Sequence, residues 1–142
     1  MEKNESYIRW QNIRITQLSF TNNLFILLAV GLLAFSVNFL EKTNTLNCIQ
    51  KFLFWIGCIL NLLSIGFGIL VVLNRLDDFR LTAQIARKRE TGVDNGIQNN
   101  RKKSKEKGGK SWCYFKFQIA LFLIGFISLL VLVLIENIDK IV

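Results

Sequence analysis

The chain has no histidine and no proline, and its three cysteines stand far apart at positions 48, 58 and 113. Without histidine there is no imidazole general base or metal ligand, and no cysteine pair has zinc spacing. Gly108 and Gly109 precede Lys110 and Ser111, but the earlier glycine and the strand-to-helix context of a Walker loop are missing. These absences argue against catalysis, and no enzyme activity, metal or cofactor is expected. Acid is scarce as well, with 10 Asp and Glu against 18 Lys and Arg and a net charge of +8. Basic residues in that excess would suit nucleic acid, yet they cluster beside apolar runs, where they set membrane topology instead, so no nucleic-acid partner is expected.

What the chain does have is apolar sequence, 51% hydrophobic with 12 Phe, gathered into three blocks rather than scattered. The expected fold is all-α, a polytopic membrane protein with three transmembrane helices at 24–40, 52–73 and 117–135. The second block is free of charge for 22 residues, which at about 1.5 Å each spans a hydrocarbon core of roughly 30 Å. With no proline anywhere and no glycine between Gly68 and Gly92, that helix is expected to continue into water over 74–90.

Around these spans, residues 1–23 mix Tyr7 and Trp10 with Arg9 and Arg14, the pattern of a segment lying at the membrane interface, with Ser6 a candidate helix cap. Glu2 and Glu5 ahead of a long polar run do not resemble a cleavable signal. Residues 41–51 form a short link with turn formers Thr43, Asn44 and Asn47, so the first two helices are antiparallel neighbours. Residues 91–116, almost without apolar side chains as far as Ser111, are expected to be a flexible basic loop, and 136–142 a tail.

Of the 18 Lys and Arg, 15 fall on the side of the amino terminus and the 91–116 loop. That bias puts both in the cytoplasm and the carboxy terminus outside, in a cell membrane expected to be a bacterial inner membrane. Cys48, Cys58 and Cys113 then occupy the outer link, the second span and the cytoplasmic face, which separates them too widely for an intramolecular disulfide.

Two stripes mark the second helix. Gly57, Asn61, Ser64 and Gly68 recur at steps of four, three and four on one face, where small side chains admit a second helix and the Asn61 amide seeks a hydrogen bond across the contact. This face packs within one chain, joins two chains or lines a pore. Beyond the apolar run, Leu76, Phe79, Ala83 and Ala86 form a narrow seam that needs a partner, flanked by Arg75, Asp77, Asp78 and Arg80. Arg75 with Asp78 and Asp77 with Arg80 are spaced to pair along the helix. Smaller stripes lie on the other spans, Gly31, Ala34 and Asn38 on the first and Gln118, Gly125 and Ser128 on the third. Arg101, Lys102, Lys103, Lys105, Lys107 and Lys110 attract an anionic inner leaflet, each contributing about 1 kcal/mol near the surface.

The string NRLDDFRLTAQIARKRE, with WQNIRITQLSFTNNLFILLAVGLLAFSVNFL before it, resembles a group of small bacterial three-helix integral membrane proteins. The likeness covers most of the chain outside 91–111 and implies fold and topology, with no activity attached. The expected function is that of a non-enzymatic, homo-oligomeric scaffold or accessory subunit docking a cytosolic or membrane partner. The alternative is an oligomeric pore lined by Asn61 and Ser64, with Asp77, Asp78 and Arg80 at its inner mouth.

Overall fold

A computed structural model describes residues 2–43, 45–92 and 96–138, those at 2–9 and 11 as backbone only. Three helices follow one another: α1 (Glu2–Lys42), α2 (Cys48–Glu90) and α3 (Ile97–Glu136). At 41, 43 and 40 residues and about 1.5 Å per residue, they are rods of roughly 60 to 65 Å. That is about twice the thickness of a hydrocarbon core, so each helix carries an apolar portion and a polar one. All three are long and apolar enough to cross a membrane.

α2 and α3 form a long antiparallel hairpin, and α1 lies against it more lightly, touching α2 more than α3. The buried positions of α2 (Gln50, Phe54, Gly57, Asn61, Ser64, Gly68 and Val71) alternate by four and three, the period of a coiled-coil seam. Two apolar layers bracket the three-helix region. At one level Leu18, Val71 and Phe115 meet, joined by Phe25 and Ile119. At the other Phe54, Leu129 and Leu132 pack with Leu32 and Phe39. Phe25 fastens α1 to α3 through an edge-on contact with Phe122, ring centroids 5.3 Å apart.

Several expectations change. The link between α1 and α2 is 43–47 rather than 41–51, because Asn47 starts α2 in an extended conformation and its backbone N–H donates to Gln50 Oε1 at 2.7 Å. Asn44 lies outside the described residues, as do residues 139–142 of the tail. Ser6 is interior to α1, whose helix begins at Glu2. The side chains of Tyr7 and Arg9 fall outside the described residues, whereas Trp10 is exposed.

The largest correction concerns 91–116, which is not a loop over most of its length. α2 ends at Glu90 and is followed after Thr91 by Gly92, whose φ of +69° suits glycine, and α3 begins at Ile97, so the basic run is helical and continuous with the third apolar stretch. Composition alone argued against order there. But Arg, Lys, Gln and Glu are good helix formers, and extending an existing helix avoids the cost of nucleation. The neighbouring face of α2 supplies partners for Ser104, Lys107 and Ser111, and Ile85 and Ile97 are buried near the turn.

The α1 stripe also differs. Gly31, Ala34 and Asn38 are exposed, and a Cβ on Gly31 would meet nothing within 4 Å. The face α1 buries is Leu18, Asn22, Ala29 and Ser36. Both faces offer small residues at helical spacing; the second adds Leu18, Phe25 and Leu32, which supply the interlocking apolar contacts.

Candidate functional site

Gly57, Asn61, Ser64 and Gly68 all lie in the interior of a single chain, facing α3 and, at Gly68, α1. Asn61 and Ser64 are 0% exposed. A Cβ built on Gly125 would stand 3.2 Å from Gly57 O, and one on Gly57 would stand 3.4 Å from Gly125 O, so the two backbones nearly touch there. Asn61 does not bond across the contact. Its Nδ2 donates to Gly57 O of its own helix at 2.8 Å, filling the space that Gly125 leaves by lacking a side chain.

The cross-helix hydrogen bonds come from neighbours. Ser64 Oγ donates to Gln118 O at 2.9 Å and Ser128 Oγ to Leu53 O at 3.0 Å. Asn22 Nδ2 reaches from α1 to Gly68 O at 3.3 Å, while Gln118 Nε2 donates to Asn22 O at 3.4 Å. Three helices therefore meet at one polar level between the apolar layers. The carbonyl oxygens Asn22 Oδ1, Asn61 Oδ1 and Gln118 Oε1 are buried without a hydrogen-bond partner among the described residues, each costing about 1 to 3 kcal/mol. This seam is held by close backbone approach, with the amide donors rather than the acceptors satisfied.

Asn74, the first residue of the expected extension 74–90, clamps α2 to α3 with two hydrogen bonds. Its Nδ2 donates to Lys107 O at 2.7 Å and to Ser111 Oγ at 2.9 Å. The signal was present, since Asn74 continues the buried face three residues beyond Val71. Gln50 Nε2 closes the far end on Glu136 at 2.8 Å.

The flanking charges do not pair along α2. Asp77 accepts from Lys107 Nζ at 2.6 Å and Asp78 from Ser104 Oγ, both on α3. The hydrogen bond from Lys107, reinforced by its charge, holds the Asp77 carboxyl below the usual carboxylate range. Arg75 is thereby left half-buried and Arg80 exposed, and among the described residues neither has a carboxylate salt-bridge partner. Arg101, Lys102, Lys103, Lys105 and Lys110 ring the exposed surface of α3, and Lys107 is drawn inward.

Leu76, Phe79, Ala83 and Ala86 point away from α3, because the buried face continues instead through Asn74 and Ile85. Leu76 is 59% and Phe79 49% exposed. Beside them two clefts meet, the narrower between α1 and α2 and the wider walled by α3 as well. One of ≈130 Å³ is lined by Leu18, Asn22, Val71, Val72 and Leu76. The other, ≈340 Å³, is lined by Arg14, Asp78, Thr82, Ser104 and Trp112, and both share Ile15, Leu18, Arg75 and Phe79.

All three cysteines are free, and among the described residues no three Cys, Asp or Glu side chains gather as they would around a metal ion. Compared with protein-family models, with curated proteins and with solved structures, the chain matches none.

Proposed function

We propose that the chain is a non-enzymatic integral membrane scaffold or accessory subunit that docks a partner through the part of α2 beyond its apolar run and the basic start of α3. One observation carries this reading. Leu76 and Phe79 are exposed on a helix whose opposite face is already locked to α3, so among the described residues a firm rod presents an apolar strip that α1 only borders at Ile15 and Leu18. Over 17 residues at about 1.5 Å each, residues 74–90 would reach roughly 25 Å beyond the apolar run. With 15 of 18 basic residues on that side, the rod lies in the cytoplasm of a bacterial cell, the carboxy terminus lies outside, and the α3 cations rest on the anionic inner leaflet.

Homo-oligomer formation is part of the proposal, because the exposed Gly31, Ala34 and Asn38 face of α1 allows close approach of a second copy. A pore has less support: the residues that would line it, Asn61 and Ser64, are enclosed by α3 within one chain, and Asp77 and Asp78 turn to α3. The test is Phe79→Asp, which should leave membrane insertion and helicity unchanged while abolishing co-purification of the partner or lowering the subunit count by native mass. An unchanged complex in that variant would return the strip to being a solvated surface.

A further inference from the structure

We infer that the joined clefts, the wider one lined by all three helices and the narrower by α1 and α2, form a site for one anionic phospholipid, whose phosphate is held by Arg14 and Arg75 and whose acyl chain enters between α1 and α2. This rests on the three helices crossing a membrane with Arg14 and Arg75 at its boundary, and not on the docking of a protein partner.

Charge is the first observation. Asp77 and Asp78 are both engaged by α3, and among the described residues neither Arg14 nor Arg75 has a salt-bridge partner. Both arginines line the same mouth, one from α1 and one from α2. A phosphodiester fits such a pair, because guanidinium forks bind phosphate oxygens in bidentate fashion. Among the described residues of the mouth, Asp78 is the one acid against two arginines, so the lining keeps a net positive charge, and one Asp78 oxygen is already occupied by the Ser104 hydroxyl.

Depth is the second. Arg75 lies two residues beyond the apolar run 52–73, which places the mouth where hydrocarbon gives way to headgroups. Trp112, 46% exposed at the same mouth, suits that level, where indole rings sit half in apolar and half in polar surroundings. Phosphates of lipids diffuse laterally past this opening at high local concentration, whereas a soluble anion must compete from bulk water.

Shape is the third. The wider chamber, ≈340 Å³, is the one that carries Arg14, Thr82 and Ser104 and takes the glycerophosphate end. The narrower, ≈130 Å³, leads off from it along Leu18, Val71, Val72 and Leu76, a lining suited to the first methylenes of one chain. Ser19 stands at its edge. A diffuse attraction of the α3 cations for the leaflet needs neither the cleft nor the two arginines.

The experiment is native mass spectrometry of the full chain in detergent, supplied with phosphatidylglycerol or phosphatidylcholine. One phosphatidylglycerol per chain should be retained, at least tenfold more tightly than phosphatidylcholine, and excess glycerol phosphate should not displace it. Arg14→Ala with Arg75→Ala should weaken retention at least tenfold. Ser19→Trp, which fills the narrow cleft and keeps both arginines, should do the same. Each variant's helicity and unfolding midpoint should match the parent. Lys102→Ala with Lys103→Ala and Lys105→Ala should leave retention unchanged. Loss of retention in the lysine variant but not in the arginine variant would mean diffuse leaflet attraction and overturn the site. Displacement by glycerol phosphate would overturn the lipid as occupant, and retention in Ser19→Trp would overturn the acyl-chain cleft. If the arginine variant or Ser19→Trp unfolds, Arg75→Gln and Ser19→Leu carry the same expectations.

Discussion

Replacing Gly125 by alanine tests what holds α2 to α3. The new methyl would fall 2.7 Å from Asn61 Nδ2, 3.2 Å from Gly57 O and 3.2 Å from Leu60 Cβ. Asn61 can swing aside only by giving up its 2.8 Å bond to Gly57 O inside a buried seam, and the carbonyl behind it is backbone. Overpacking costs about 1 to 3 kcal/mol and the stranded amide about 1 to 3 more. Alanine returns up to about 1 kcal/mol of helix propensity. The net loss is about 3 kcal/mol, roughly a hundredfold in the equilibrium between docked and separated helices. At Gly57 the obstacle is the Leu129 side chain, 2.7 Å from the new Cβ, which can rotate, so Gly57→Ala should cost less. At Gly31 nothing lies within 4 Å, and Gly31→Ala should be neutral or slightly stabilising. Unfolding in mixed micelles by added SDS, followed by tryptophan fluorescence, ranks the three. Equal stability of Gly125→Ala and Gly31→Ala would refute close backbone packing as the origin of the hairpin.

Two other expectations concern the polar end. Because the Asp77 carboxyl is held below the usual carboxylate range by Lys107, its contribution to the hairpin is fully present above that range and is lost as pH falls through the lower folded value. Distances between spin labels at Gln84 and Arg101 should therefore stay constant from neutral pH into the ordinary carboxylate range and broaden only below it, and Asp77→Asn should remove this dependence; a broadening already complete at neutral pH would contradict the pairing. For topology, a reporter inserted at Gly96 should be cytoplasmic and one fused after Val142 should be outside, while a cytoplasmic carboxy terminus would sink the three-span reading.

Much of the fold was legible in local sequence because helices long enough to cross a membrane announce themselves by composition. Three apolar blocks, the lack of proline and the uninterrupted run from 52 to 90 foretold an all-helical chain with α2 continuing past its apolar part. The four-three spacing of Gly57, Asn61, Ser64 and Gly68 likewise marked a face that something must cover.

Which partner covers each face was decided only in three dimensions. Periodicity reports the polarity of a face but not what lies opposite, and α1 presented two usable faces, of which the tertiary contacts took Leu18, Asn22, Ala29 and Ser36 and left Gly31, Ala34 and Asn38 open. The same limit hid the roles of Asp77 and Asp78. Their natural partners by spacing were Arg75 and Arg80 on their own helix, yet α3 runs alongside and offers Lys107 and Ser104 instead. Taken alone, the basic segment 97–111 has too little apolar surface to offset the entropy of ordering. It folds because an already formed helix extends through it and because Asn74, Asp77 and Asp78, some thirty positions earlier in the chain, stand where its polar groups can reach them. Order in that segment is a property of the pair of helices, and no window of either sequence taken by itself contains it.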